Sequence, residues 1–188
     1  MIKLALAAAA AMVLATGAQA QTADGSKSFG IDPYVGVMGG YEGFDSDPGH
    51  GIPNSLPGNR LKGGMVEGVV GVNIPLDSFF VGVEGSAAKG FSGDIDWQYG
   101  VHGRVGVRAG ETGLAYVKAG YRWTNFDRYG SNSPDFDAIS YGIGGEFGPK
   151  AVGLDGLVKN EGVRFRLEVS TFGEFESVRP MAGVIAHF

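Results

Sequence analysis

Residues 163–171 read VRFRLEVST, and this short stretch decides how the rest of the chain is read. Val163, Phe165, Leu167 and Val169 fall on one parity, and Arg164, Arg166, Glu168 and Ser170 on the other. Successive side chains of an extended strand point to opposite faces. The stretch therefore makes a strand with one apolar face and one charged face. A helix of the same residues would scatter both kinds around its circumference.

The same period of two recurs outward from this segment. In Gly64 to Ile74, Val66, Val70, Val72 and Ile74 oppose Glu67 and Asn73. In Phe79 to Ala88, Phe79, Val81 and Val83 oppose Glu84 and Ser86. Tyr99 to Ala109 sets Val101, Val105 and Val107 against His102, Arg104 and Arg108, and Ala115 to Thr124 sets Val117, Ala119, Tyr121 and Trp123 against Lys118 and Arg122. Ile139 to Phe147 places Ile139, Tyr141 and Ile143 opposite Ser140 and Glu146. Tyr34 to Tyr41 and Arg179 to Phe188 are less polar but long enough to serve as first and last strands. Eight strands are thus expected, each close to the ~9–11 residues that cross a bilayer when tilted.

Composition agrees with strands rather than helices. Glycine fills 34 of 188 positions, and an interior glycine costs a helix up to ~1 kcal/mol against alanine. The glycines keep no triplet period and proline is only eight, which excludes collagen. An apolar share of 44% excludes a disordered chain. The absence of cysteine excludes a disulfide scaffold, a zinc–thiolate site and a cysteine nucleophile. A net charge of -5 argues against a nucleic-acid partner, which calls for a basic stripe.

The first twenty residues, MIKLALAAAAAMVLATGAQA, have the three parts of a secretory signal. Lys3 supplies the positive start, Leu4 to Leu14 the apolar run, and Ala18-Gln19-Ala20 the small-x-small end, so cleavage is expected after Ala20. A single anchor helix is the plainer alternative, but the run is shorter than the roughly 20 residues needed to span. No later stretch is apolar for long enough to be a transmembrane helix. Residues 21–32 are small and polar and are expected to be a flexible lead-in to a barrel domain over 33–188.

The connections alternate in length. Pro75 to Ser78 and Gly110 to Gly113 are short turns, whereas Glu42–Leu61, Lys89–Asp96, Asn125–Asp137 and Phe172–Val178 are expected as surface loops. Short turns on one side and longer loops on the other are the pattern of an outer-membrane barrel. Residues 148–162 break it, being long where a turn is expected, and have no account beyond a short helix or a strand extension.

A soluble barrel hides its apolar parity and a membrane barrel hides its polar one. Here the polar parity carries Glu67, Glu84, Glu146 and Glu168 against Arg104, Arg108, Lys118, Arg122, Arg164 and Arg166. Nearly matched charges suit an enclosed lumen in which each ion needs a partner. Aromatic residues favour the same orientation. Tyr99, Tyr121, Trp123 and Tyr141 lie at the loop ends of the apolar faces, and Phe79, Phe147 and Phe188 at the turn ends, as two interfacial girdles require.

On these residues the chain resembles the small outer-membrane β-barrel family that includes opacity-type proteins. The resemblance rests on Pro33-Tyr34-Val35-Gly36-Val37, on Phe80 to Gly85, on Gly103-Arg104-Val105-Gly106, and on the terminal strand Met181 to Phe188. It implies an eight-stranded antiparallel up-and-down transmembrane barrel, exported by the general secretory pathway to the outer membrane of a Gram-negative cell. It implies Phe188 as the signal read by the barrel assembly machinery, with Ala182 and Ala186 where larger apolar residues are usual. It also implies contact with outer-membrane lipid, and a role in envelope integrity or in surface adhesion through a ligand held by the loops. A monomer is expected. A narrow porin-like channel and a soluble periplasmic ligand-binding barrel are the rival readings.

Chemistry is not expected. His50, His102 and His187 form no zinc spacing, and no serine, histidine and acid are placed together for acyl transfer. Asp45-Ser46-Asp47-Pro48-Gly49 begins like a calcium loop but lacks the later ligands. No enzyme activity, metal or cofactor is therefore predicted.

Overall fold

A computed structural model of the chain describes residues 30–52, 61–109, 113–127, 135–149 and 162–188. Eight strands run in order: β1 (Asp32–Phe44), β2 (Lys62–Leu76), β3 (Phe79–Gly90), β4 (Ile95–Ala109), β5 (Gly113–Phe126), β6 (Phe136–Phe147), β7 (Val163–Phe172) and β8 (Ser177–His187). Each pairs antiparallel with its neighbours in sequence, and β1 pairs with β8 to close the barrel. Closure leaves no free sheet edge. The expected signal segment, its cleavage site at Ala20 and the 148–162 connection from residue 150 to 161 lie outside the described residues.

The strands are longer than their apolar alternation alone indicates. β1 reaches back to Asp32 and forward to Phe44, so Asp32 is no lead-in residue and Glu42 no loop residue. Both are buried. Ladder pairing continues through them because Asp32 opposes Asn73 and Glu42 opposes Gly63 on β2.

Register sorts the two faces. Val105, Val117, Ile143 and Val169 stand side by side on β4, β5, β6 and β7, and each is exposed on the outer wall. Arg104, Lys118, Gly142 and Ser170, one residue along, form the matching inward row. Leu167 is 55% exposed while Arg166 beside it is 0% exposed. The apolar parity therefore faces out and the charged parity faces in, opposite to a soluble barrel.

The interior is filled. Two inward glycines make room for two tyrosine rings: a Cβ on Gly71 would collide with the Tyr34 ring, and one on Gly144 with the Tyr116 ring. At the loop end the barrel is capped by apolar side chains. Phe44 packs edge-on against Phe126 and Phe172, with ring centroids 5.7 and 5.5 Å away. Ile52, Leu61 and Ile95 are buried in the same cluster.

Candidate functional site: a charge-neutral interior

The interior charges form two layers. The lower one centres on Glu84 and Glu146. Glu84 accepts from Lys118 at 2.9 Å, from Arg166 at 2.5 Å and from the Tyr34 hydroxyl at 2.9 Å. Glu146 accepts from Arg104 at 2.9 Å and from the Nη2 of Arg166 at 2.7 Å. Lys118 also lies 2.7 Å from Glu168, which accepts from the Tyr116 hydroxyl at 2.8 Å. The guanidinium of Arg104 sits 3.9 Å from the centre of the Tyr116 ring and 5.0 Å from that of Tyr34, and donates to the Tyr34 hydroxyl. These rings give the buried cation π faces.

The upper layer centres on Glu42. It accepts from Arg122 at 3.1 Å, from Ser177 at 2.7 Å and from Gln98 at 2.5 Å. Arg179 reaches Glu67 at 2.5 Å and leans on the Met65 sulfur at 3.1 Å. Arg122 also donates to Ser170 at 2.9 Å. Between the layers, the His102 ring contacts the Ser140 hydroxyl at 3.1 Å; His102 opposes Glu84 in the β3–β4 register.

Nine of the ten charged residues singled out from the sequence are buried here: Glu67, Glu84, Arg104, Lys118, Arg122, Glu146, Arg164, Arg166 and Glu168. Arg108 is not. It has the inward parity but is exposed at the turn end of β4, where its backbone N–H bonds Ser78. The alternation gives a side chain's face but not its depth, so it could not exclude Arg108. It also missed Asp32, Glu42, Arg179 and His187. Arg179 shares the inward parity of Met181 and opposes exposed Val178, a signal that alternation carries; glycine- and polar-rich surroundings hide Glu42 and Asp32.

With those corrections the charges balance. Among the described residues the buried acids are Asp32, Glu42, Glu67, Glu84, Glu146 and Glu168, and the buried lysines and arginines are Arg104, Lys118, Arg122, Arg164, Arg166 and Arg179. Six stand against six, as an interior shielded from water requires. No group of three or more candidate metal ligands occurs among the described residues.

No protein-family model matches the chain, and no curated protein matches it. Solved structures do. The N-terminal β-barrel domain of Pseudomonas aeruginosa OprF aligns with a TM-score of 0.56 at 12% identity, covering 85% of this chain and 98% of that one. The crystal structure of Neisserial surface protein A aligns with a TM-score of 0.51 at 13% identity, covering 85% and 97%. The fold is that of the small eight-stranded outer-membrane β-barrels. At such identities the likeness concerns the fold. The interior network described above is a property of this chain's own residues.

Proposed function

We propose that this protein is a monomeric integral outer-membrane barrel, exported through its N-terminal signal. In this reading the barrel is a rigid, closed support and its loops carry a role in envelope integrity or surface adhesion. The observation that carries it is the inversion of the faces. Val37, Ile143 and Leu167 are 62%, 63% and 55% exposed, while Arg104 and Arg166 are almost wholly hidden. A water-soluble domain with that arrangement would expose a continuous apolar belt. In hydrocarbon the same belt is solvated, and a closed ladder satisfies the backbone.

The aromatic side chains support this orientation. Tyr121 and Tyr141 are exposed towards the loops, and Phe79 and Phe188 towards the turns, as interfacial side chains at two lipid boundaries would be. Phe188 follows β8 directly and its N–H bonds Pro33 on β1, a position in which an assembly machinery could read it during insertion. The capped, salt-bridged interior favours a structural scaffold over a conduit. Binding is assigned to the loops, the usual place for recognition on a rigid scaffold.

Fractionation of the expressing cell, followed by gel electrophoresis of boiled and unboiled samples, tests the reading. An outer-membrane band that migrates differently when unboiled is expected. A soluble periplasmic band without a heat shift would overturn it.

A further inference from the structure

The outer wall is not uniform around the barrel. Over β4 to β7, Gly103, Ala119, Tyr141 and Thr171 stand side by side on the outward parity. The two small residues leave a hollow beside the larger ones. It forms a groove of about 730 Å³ that passes Ile143 and reaches Tyr141, Phe175 and Val178 at the loop side. A second hollow of about 570 Å³ shares Ile143 with it and continues towards the turn end, where Ala115 is the small residue. The lining is almost entirely apolar, and its course along the wall suits an extended alkyl chain.

Phe175 shapes the upper end. It lies in the β7–β8 connection with a φ of 71°, a left-handed conformation that a bulky residue rarely takes. Its ring is 75% exposed and stacks on Tyr141, with centroids 6.3 Å apart and planes at 19°. Strain of this kind clusters at ligand clamps, where the surroundings hold it in place.

The charge above the groove is one-sided. Residues 127–137 and 173–177 carry Asp127, Asp135, Asp137, Glu174 and Glu176 against Arg128 alone. Asp137 accepts from the Tyr121 hydroxyl on the outer face of β5, and Glu174 is exposed next to Phe175. On the β1–β4 side, residues 45–62 and 89–96 are close to balanced, with Asp45, Asp47, Asp94 and Asp96 against Arg60, Lys62 and Lys89. The acidic sector and the groove therefore coincide.

In a bilayer, burial alone does not favour one chain over another, because the solvent is already hydrocarbon; close packing in a groove adds a small preference. Charge at the head then decides which lipid gains from it. An anionic head would meet the carboxylates. A divalent ion bridging the two would call for clustered ligands, and no group of three or more candidates occurs among the described residues. An ammonium head instead meets the acids and the π faces of Tyr141 and Phe175. We propose that this sector holds a membrane lipid with a cationic, amine-derived head, its chain in the β4–β7 groove and its head at the Tyr141–Phe175 pair. The inference rests on the outer-membrane reading above.

The test places the refolded mature chain, labelled at isoleucine methyls, in phosphatidylcholine nanodiscs with deuterated acyl chains. One minor lipid with protonated dioleoyl chains is added, bearing a trimethylammonium, a phosphoglycerol or a phosphocholine head. Nuclear Overhauser contacts from its chain to Ile143 in the groove are divided by those to Ile74, which is exposed on β2. The trimethylammonium lipid should raise this ratio about threefold or more over the other two at low salt, and lose the gain at high salt. Equal ratios for all heads, or a higher one for the anionic lipid, overturn the proposal. Asp137→Asn, whose amide oxygen still accepts from Tyr121, combined with Glu174→Gln should abolish the preference. Ala119→Leu, which fills the groove, should abolish it with every acid in place. A preference retained in either variant also overturns the proposal. The heat-dependent gel shift is recorded for each sample. Its absence from the unaltered chain would sink the membrane barrel and this inference together, whereas a heat-shifted barrel without lipid preference overturns the lipid assignment alone.

Discussion

Arg166 on β7 and Glu84 on β3 meet at 2.5 Å across the interior, although their strands are not neighbours in the sheet. The same guanidinium holds Glu146 of the adjacent β6. One side chain thus ties the wall to its opposite side, and its removal should be felt throughout the barrel.

Arg166→Leu leaves Glu84 and Glu146 each short of a donor in a buried site. A loss of ~3–5 kcal/mol is expected, because breaking a buried pair strands the remaining charge. Arg104→Ala should behave similarly and also empties the space between two tyrosine rings. Arg108→Ala, at the exposed rim, should stay within about 0.5 kcal/mol. Urea unfolding of the refolded barrel in detergent distinguishes them. Equal midpoints for Arg108→Ala and Arg166→Leu would mean that the interior network does not stabilise the fold.

Glycines on the two faces should respond oppositely to a side chain. A Cβ at inward Gly120 would fall 2.6 Å from the His102 Cα, a backbone contact that cannot give way. At outward Gly103 the nearest atom, the Ala119 carbonyl oxygen, is 3.8 Å away. Gly120→Val should therefore prevent closure, whereas Gly103→Val should fold and gain slightly from β-branching. The heat-dependent gel shift reports closure directly, and its retention in Gly120→Val would contradict this packing.

Ile143 sits in the outer apolar row with Val117 and Val169 beside it. Ile143→Arg should cost ~2–4 kcal/mol when unfolding is followed in lipid vesicles, the range for a cation near the bilayer midplane. A cost near zero would place that face in water and favour the soluble reading.

A narrow channel remains a distinct alternative with its own measurement. The Phe44, Phe126 and Phe172 rings pack together at the loop end, above the paired charges of the interior. The purified protein in a planar bilayer should give no discrete conductance steps. Reproducible unitary steps would mean that the cap opens.

How much of this could be read from residue order depends on the distance over which each property is written. The period of two is local: Arg164 and Phe165 point apart because they are consecutive in a strand, whatever surrounds them. Alternation along VRFRLEVST and its counterparts therefore yields eight strands, two faces and the shape of the fold directly from the sequence. Depth and partnership are not local. Arg108 shares the parity of Arg104, yet four residues along a strand carry it out of the interior and into the rim. Glu42 sits among glycines that look like a loop, and only the pairing of β1 with β2 draws it inside to meet Arg122. His187 appears as a terminal rim residue until closure brings it against Asp32, 155 positions away in the chain. The stagger of the strands as the sheet closes on itself decides these contacts, because it sets which inward side chains share a level. Residue order alone yields a barrel with its charges on one face; the stagger of the closed sheet selects which charges meet, and among the described residues six acids and six lysines or arginines are buried together.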